Sequence, residues 1–493
     1  MAPQSPPPVS PPISSVPPAP PSGDASWKRP GGRIPTRPTD DDVTPPRTTP
    51  PPEPIPPPIA QPPVAQPPRQ APPSQPPPGP PRRTEATPPA APREPERQAP
   101  AASKERPPAS KPSTTSAQPG AVVWKFPLPS TGNPPRRQAI RSSPAVDSEG
   151  NIYAAVGPSL VALTETAHGI EQQWSYDLDC FCPGPVVLAS DGRLRAHGGD
   201  GRLHCISLTG QTSFEPIQVG EPLGWAAPVA DADGNTYISG YNGGIFKVGS
   251  QGNVQRNAYL ATRQKFDSTG CISKGSLYIG CEDGFVYSIE LVGSRGYNKW
   301  DPLANQGKTG WFINSSPAPG LDGQWIVAGR DEYLYAFQPD GSLASKLHIR
   351  GQMLASPVVS PAGHAYVGVS LERRGDQSRG KLVCVDLASH RVRWEYDVNR
   401  PIESTPVIGD DGIVYVGDNS GTVHAINAEG RRQWSHGVGS PVRSPGTIPS
   451  PHRVVFGLDN GHYVALMCSS KGVAKGGWPK YMGDLSQTGN LGK

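Results

Sequence analysis

Composition divides this chain of 493 residues in two: 42 of its 66 prolines fall in residues 1–120, where Trp27 is the one aromatic residue. That stretch holds 13 Lys/Arg against 9 Asp/Glu and so carries the whole formal net charge of +4, leaving 33 against 33 in residues 121–493. A neutral folded part lacks the clustered basic footprint that nucleic-acid binding needs, so no nucleic-acid partner is expected.

Residues 1–120 cannot bury enough apolar surface to offset their conformational entropy, and proline removes backbone donors, so a disordered Pro-rich tail is expected there. Stretches such as Pro54-Ile-Pro-Pro-Pro58 could dock as polyproline II, but a spacer is the simpler expectation. The start, Met1-Ala-Pro-Gln-Ser-Pro-Pro-Pro, has neither a basic n-region nor an apolar h-region, and no apolar run reaches the roughly 20 residues that span a bilayer. A cytoplasmic protein without a transmembrane segment is expected, with a periplasmic or secreted location as the alternative if the true start lies elsewhere.

From residue 121 onward one phrase recurs at intervals of about 40 to 49 residues, a small residue and usually proline before an apolar pair. Its copies begin at Ser143, Gly184, Ala227, Thr269, Ser316, Ser356, Thr405 and Ser444. Each is followed by an Asp/Gly turn, an alternating apolar strand, a second Gly turn and a third strand, such as Val414-Tyr-Val-Gly417 and Thr422-Val-His-Ala-Ile426 in the seventh unit. No segment keeps a helical period. A four-stranded unit that is apolar on both faces must stack on its neighbours, so eight units predict an all-β, eight-bladed β-propeller over residues 121–493. The unassigned strand Val122-Val-Trp-Lys-Phe126 is expected to complete the eighth blade and close the ring, in preference to the C-terminal Gly476-Gly-Trp478-Pro-Lys.

Several units end on an Ala-x-Asp, Gly, Trp spacing. Unit six has Cys384-Val-Asp386, His390 and Trp394; unit seven Ala425-Ile-Asn427, Gly430 and Trp434; unit one Ala162, Gly169 and Trp174; unit four Gly293 and Trp300. This pattern resembles the PQQ-like β-propeller repeat, which contains quinone dehydrogenases and non-enzymatic members such as the propeller lipoprotein of the outer-membrane assembly machine. The resemblance implies that Trp174, Trp300, Trp394 and Trp434 are structural girdle residues between blades. It also implies what a quinone enzyme would need: adjacent cysteines, where this chain has Cys180-Phe-Cys182, and an Asp base with Glu/Asn/Asp calcium ligands, which map onto no motif here.

Other chemistry is sparse. The seven cysteines are odd in number and scattered through apolar strands, which argues against a disulfide framework. Asp231-Ala-Asp-Gly234 and Asp418-Asn-Ser-Gly421 look like calcium-loop fragments but lack the downstream Glu, and hairpin turns use the same residues. The histidines form no HExxH, and His204 and His424 occupy equivalent places in different blades. Neither a metal nor a catalytic residue is therefore expected. What remains is the rim made by the loops leading into the first strands, where Arg141, Cys182, Trp225, Trp311, Asn314, Met353, Arg400, Glu403 and Arg443 vary in a way packing does not require. Arginines and aromatics suit a protein surface. The expected function is a non-catalytic, monomeric scaffold binding a protein or peptide partner on that rim without a cofactor; the alternative is a small-molecule enzyme holding pyrroloquinoline quinone and calcium in the central channel.

Overall fold

The structure is a computed structural model that describes residues 118–491 apart from 128–137, 181, 183, 220–225, 242, 256–263, 292–297 and 372–377. Residues 1–117 of the expected tail and Trp225 lie outside the described residues. The described chain is all-β, relieved by two 3-10 turns at Pro302–Ala304 and Leu321–Gly323, and its strands form eight antiparallel sheets in the order of an eight-bladed propeller. No helix among the described residues is long and apolar enough to cross a membrane.

Each blade runs from a two- to four-residue inner strand at the axis to a polar outer strand. The inner strands are short because only a few residues fit side by side around an axis. In blade seven these are Val407–Ile408, Val414–Gly417, Thr422–Ile426 and Arg432–Gly437. The second and third strands are buried on both faces, as in Val414–Gly417 and His462–Met467, which explains why they are apolar at consecutive positions rather than alternating. Blade four has three strands among the described residues, its outer edge marked by the pairing of Ile289 with Asn298.

The ring closes through the N-terminal strand. Val122–Pro127 pairs antiparallel with His462–Met467, the third strand of blade eight, over more than 300 residues of intervening chain. The tryptophans fasten neighbours at the periphery. The indole N–H of Trp174 donates to Leu208 O at 2.9 Å in the next blade, Trp394 to Ala428 O at 2.9 Å, and Trp300 to Pro339 O at 3.1 Å. Each such bond contributes about 1 kcal/mol net. Trp434 instead lies against Gly120, just ahead of the closing strand.

Hairpin turns account for the acidic fragments, the one at Asp231 between first and second strands and the one at Asp418 between second and third. Asp231 Oδ1 accepts from the Asp233 and Asn235 amides, and its Oδ2 from Asn235 Nδ2 and the Tyr237 hydroxyl. Both oxygens of that carboxylate are occupied in holding a hairpin. Asp147 does the same for Asn151 and Tyr153 in blade one.

Two devices surround the axis. At the lead-in end a collar of hydroxyls joins five blades in series. The Ala227 amide donates to Thr269 Oγ1 at 2.8 Å, Thr269 to Ser316 Oγ at 3.1 Å, Ser316 to Ser356 Oγ at 2.9 Å, and Ser356 to Thr405 Oγ1 at 3.1 Å. Thr269, Ser316, Ser356 and Thr405, which open four of the phrases, thus do more than fit a crowded axis.

At the other end the C-terminal segment makes almost a full circuit. The second inner-strand residue of six blades donates its amide to it: Val359 to Trp478 O, Ile408 to Pro479 O, Val146 to Leu485 O, Leu188 to Ser486 O, Ala230 to Thr488 O and Ile272 to Gly489 O, all at 2.7–3.0 Å. Blade five has Pro319 at this position and no amide to offer. Inside the circuit Lys480 is fully buried, its ammonium donating to Tyr481 O, Asp484 O and Gln487 Oε1 at 2.9–3.1 Å. Tyr481 reaches the collar through Thr269 Oγ1 at 2.6 Å.

Candidate partner-binding rim

Strand pairing defines which lead-in residues are equivalent. In blade seven Val407 pairs with Tyr415, and the matching pairs are Ala145–Tyr153, Val187–Arg195, Val229–Tyr237, Cys271–Tyr278, Ala318–Ile326, Val358–Tyr366 and Thr447–Val455. Counting back five residues from the inner-strand partner reaches, in the seven blades where that residue is described, an apolar anchor that packs inward: Ile140, Cys182, Phe266, Ile313, Met353, Ile402 and Val442 are all buried. The next residue faces the rim. It is Arg141, Asp267, Asn314, Leu354, Glu403 and Arg443 in blades one, four, five, six, seven and eight.

This register corrects two expectations. Met353 is 0% exposed within the core shared by blades five and six, and Cys182 is 4% exposed, its thiol facing Gly184 O at 3.6 Å. Neither can touch a partner, because both fill the anchor position. Asp267 and Leu354 hold the rim position and were not among the expected residues.

The other expected residues gather on two arcs. On blades seven, eight and one, Arg443 bridges Glu403 at 3.2 Å and Asp459 at 2.5 Å, and its Nε donates to Asn419 Oδ1 at 3.1 Å. Asn419 in turn donates to Glu403 Oε1 at 2.8 Å, and Arg141 stands 3.7 Å from Asp459 with 43% of its side chain exposed. Burial raises the Asp459 pKa while Arg141 and Arg443 oppose it, so the arginines serve to keep this carboxylate charged. Arg400 is half-buried on the blade-seven lead-in loop.

The second arc, on blades three to five, is aromatic. Trp311 is 44% exposed beside Phe312, with ring centroids 5.7 Å apart and the Arg330 guanidinium 5.7 Å from the Trp311 ring. Asn314 Nδ2 donates to Asp267 Oδ2 at 3.3 Å and Glu282 Oε1 at 3.4 Å, and Lys265 pairs with both carboxylates. Lys265 also lies 4.7 Å from the ring of exposed Tyr241. Burial, then the hydrogen bond and charge of Asp267, raise the Glu282 pKa against the pull of Lys265. Phe312, Tyr241, Arg330 and Lys265 were not expected. Tyr241 and Arg330 sit in turns between second and third strands, which share this face with the lead-in loops.

The residues present do not fit a bound quinone. There are no adjacent cysteines. The C-terminal circuit reaches the axial ends of the blades, Tyr481 meeting Thr269 Oγ1 and the Gln487 side-chain amide donating to Ser143 O.

Comparison with known proteins agrees with this architecture. Residues 305–474 match the family described as outer membrane protein assembly factor BamB. No curated protein sequence matches the chain. Among solved structures, BamB from Moraxella catarrhalis is 14% identical at a TM-score of 0.55, covering 71% of this chain and 99% of that one. Sqt1 from Saccharomyces cerevisiae is 10% identical at a TM-score of 0.58, covering 72% of this chain and 100% of that one. Quinohemoprotein alcohol dehydrogenase from Comamonas testosteroni is 12% identical at 0.56, covering 72% and 77%. An assembly factor and a dehydrogenase share the fold, so the fold does not choose between binding and catalysis. The matched segment covers residues 305–474, within blades five to eight, and these solved structures share the propeller fold, so the comparisons agree with the resemblance to the PQQ-like repeat.

Proposed function

We propose that the propeller is a non-catalytic scaffold that binds a protein or peptide on its lead-in face, centred on the arc formed by Tyr241, Trp311 and Phe312. The observation that carries this is where the exposed large apolar side chains fall. Six are exposed among the described residues; the three aromatic ones all lie on this arc, whereas Leu343 and Val392 are on outer strands and Leu491 is at the C-terminus. Aromatic rings flanked by Arg330 and Lys265 can desolvate against a partner while the cations grip its carbonyl or carboxylate groups. The match to an assembly-factor family supports the same function. The charged arc on blades seven, eight and one, with its charges already paired, contributes orientation more than affinity.

Photo-crosslinkers placed at Trp311 and Phe312 test this in cells that naturally make the protein. A discrete crosslinked partner is expected, reduced at least tenfold by Arg330→Ala and absent when the crosslinker is moved to Leu343. Equal yields from the two faces would remove the arc from consideration.

A further inference from the structure

Blades two and seven carry histidine at the same third-strand position, and the two side chains differ in one respect. His424 is fully partnered: Nε2 meets Asp418 Oδ2 at 3.1 Å, and Nδ1 lies 3.4 Å from the Tyr396 hydroxyl. His204 keeps the second contact, with Nδ1 3.5 Å from the Tyr176 hydroxyl, but its Nε2 is buried with no hydrogen-bond partner, in a residue only 3% exposed. Such an orphan is rare in a folded interior.

The cause is one substitution between repeats. Asp418 stands six residues before His424, and six residues before His204 stands Gly198. A Cβ at Gly198 would collide with Cys180 Sγ and Asp200 Oδ1, so a thiol and a carboxylate take the space that the Asp418 side chain fills in blade seven. Asp200 also departs from its own equivalents. Asp283 and Asp331, four residues before the third-strand aromatics Tyr287 and Tyr335, accept those hydroxyl protons, whereas His204 makes no such bond to Asp200, whose carboxylate accepts the Arg202 amide at 3.0 Å and lies 3.6 Å from the Arg202 guanidinium. Cys180, Asp200 and His204 each offer a ligand atom within 4.8 Å of the other two.

We propose that Cys180, Asp200 and His204 form a zinc-binding site on the lead-in face of blade two. Sulfur, imidazole nitrogen and carboxylate oxygen are the donors Zn²⁺ selects, and three protein ligands leave a fourth tetrahedral position for water or a partner's side chain. Ligand atoms around such an ion stand about 3.5 Å apart, so the group need close by roughly 1 Å. With the proton on Nδ1, donated to Tyr176, the Nε2 lone pair faces the cluster. Burial lowers the His204 pKa and keeps the ring in its neutral, coordinating form, with Asp200 and Asp179 opposing and Arg202 assisting. Burial pushes the Cys180 thiol up to about 11, and Asp200 adds to it, while the Gly199 and Asp200 amides hydrogen-bond the sulfur; the ion therefore binds with release of the thiol proton.

The test uses the full chain, stripped with chelator and titrated with Zn²⁺ against a chromophoric competitor, then with Co²⁺ followed by its thiolate charge-transfer absorption. One equivalent should bind, with affinity falling at least tenfold in Cys180→Ser, in His204→Ala and in Gly198→Asp, the last rebuilding the blade-seven pairing, and unchanged in Cys468→Ser. The cobalt band should vanish in Cys180→Ser, with circular dichroism unaltered in each variant. Absence of stoichiometric binding, or equal affinity in the Gly198→Asp chain, would overturn the proposal.

Discussion

The hydroxyl collar makes a prediction in which chemically identical substitutions at equivalent positions behave differently. Ser356→Ala removes the acceptor of the buried Ser316 amide, a bond of 2.9 Å. Little solvent reaches this part of the axis, since Ser316 and Ser356 are each only 7% exposed. Leaving that amide unpaired should cost about 1–3 kcal/mol. Thr405→Ala should cost as much by orphaning the Ser356 amide, and Thr405→Ser should restore it. Ser143 occupies the same place in blade one, but its buried Oγ has no partner, so Ser143→Ala should shift stability by less than about 0.5 kcal/mol. Urea-unfolding midpoints followed by tryptophan emission, compared at a common m-value, separate the two classes. Exchange of the Ser316 amide adds a local readout, expected to quicken in Ser356→Ala alone. If Ser356→Ala and Ser143→Ala shifted the midpoint equally, the collar would be incidental to stability.

Other perturbations address the remaining devices. Trp478→Ala empties a buried site in the core of blades five and six and should cost about 3–5 kcal/mol by the same unfolding assay. At Asp418, burial works to raise the pKa, but hydrogen bonds from His424, Ser420 and the Thr422 amide outweigh it and hold the carboxyl below its ordinary 3.8. Its stabilisation is therefore full above about pH 4 and lost as pH falls through the lower folded value, so Asp418→Asn should flatten the acid limb of a stability-versus-pH curve. Combined Trp311→Ala and Phe312→Ala should leave the unfolding midpoint within about 0.5 kcal/mol while weakening partner binding at least tenfold by titration calorimetry; a large midpoint shift would show the rings to be structural.

The repeat was legible because short apolar strands and Gly turns recur with little variation, and third strands such as Tyr333–Phe337 and Thr422–Ile426 fall where the pattern puts them. Its register at the axis was less legible. Proline follows the small residue in both Thr405-Pro406 and Ser444-Pro445, yet pairing aligns Ser444 with Ser404: both hydroxyls contact the last residue of the second strand, Gly457 and Gly417. Blade two is displaced in the same way, which carried Cys182 from the rim into an anchor. Met353 was misassigned for a simpler reason, since a thioether in a loop reads as surface until its neighbours are known. The aromatic arc needed the fold to assemble it, because Tyr241 and Trp311 come from turns of different kinds some 70 residues apart. The C-terminal circuit has no periodic signature at all: its carbonyls meet inner-strand amides contributed by six separate blades.

That circuit, taken with the closing strand, changes where the ring is weakest. A propeller held only by its repeats would open first at the seam between last and first blades, as a stack frays from its ends. Here the seam is latched twice, outside by Val122–Pro127 and inside by a strap running from blades six and seven across to blades one to four. The lowest-energy opening should therefore move to the far side, where Pro319 leaves blade five unstrapped. The aromatic arc reaches that blade through Trp311 and Phe312, so the part of the ring best able to adjust to a partner also presents rings to bind it.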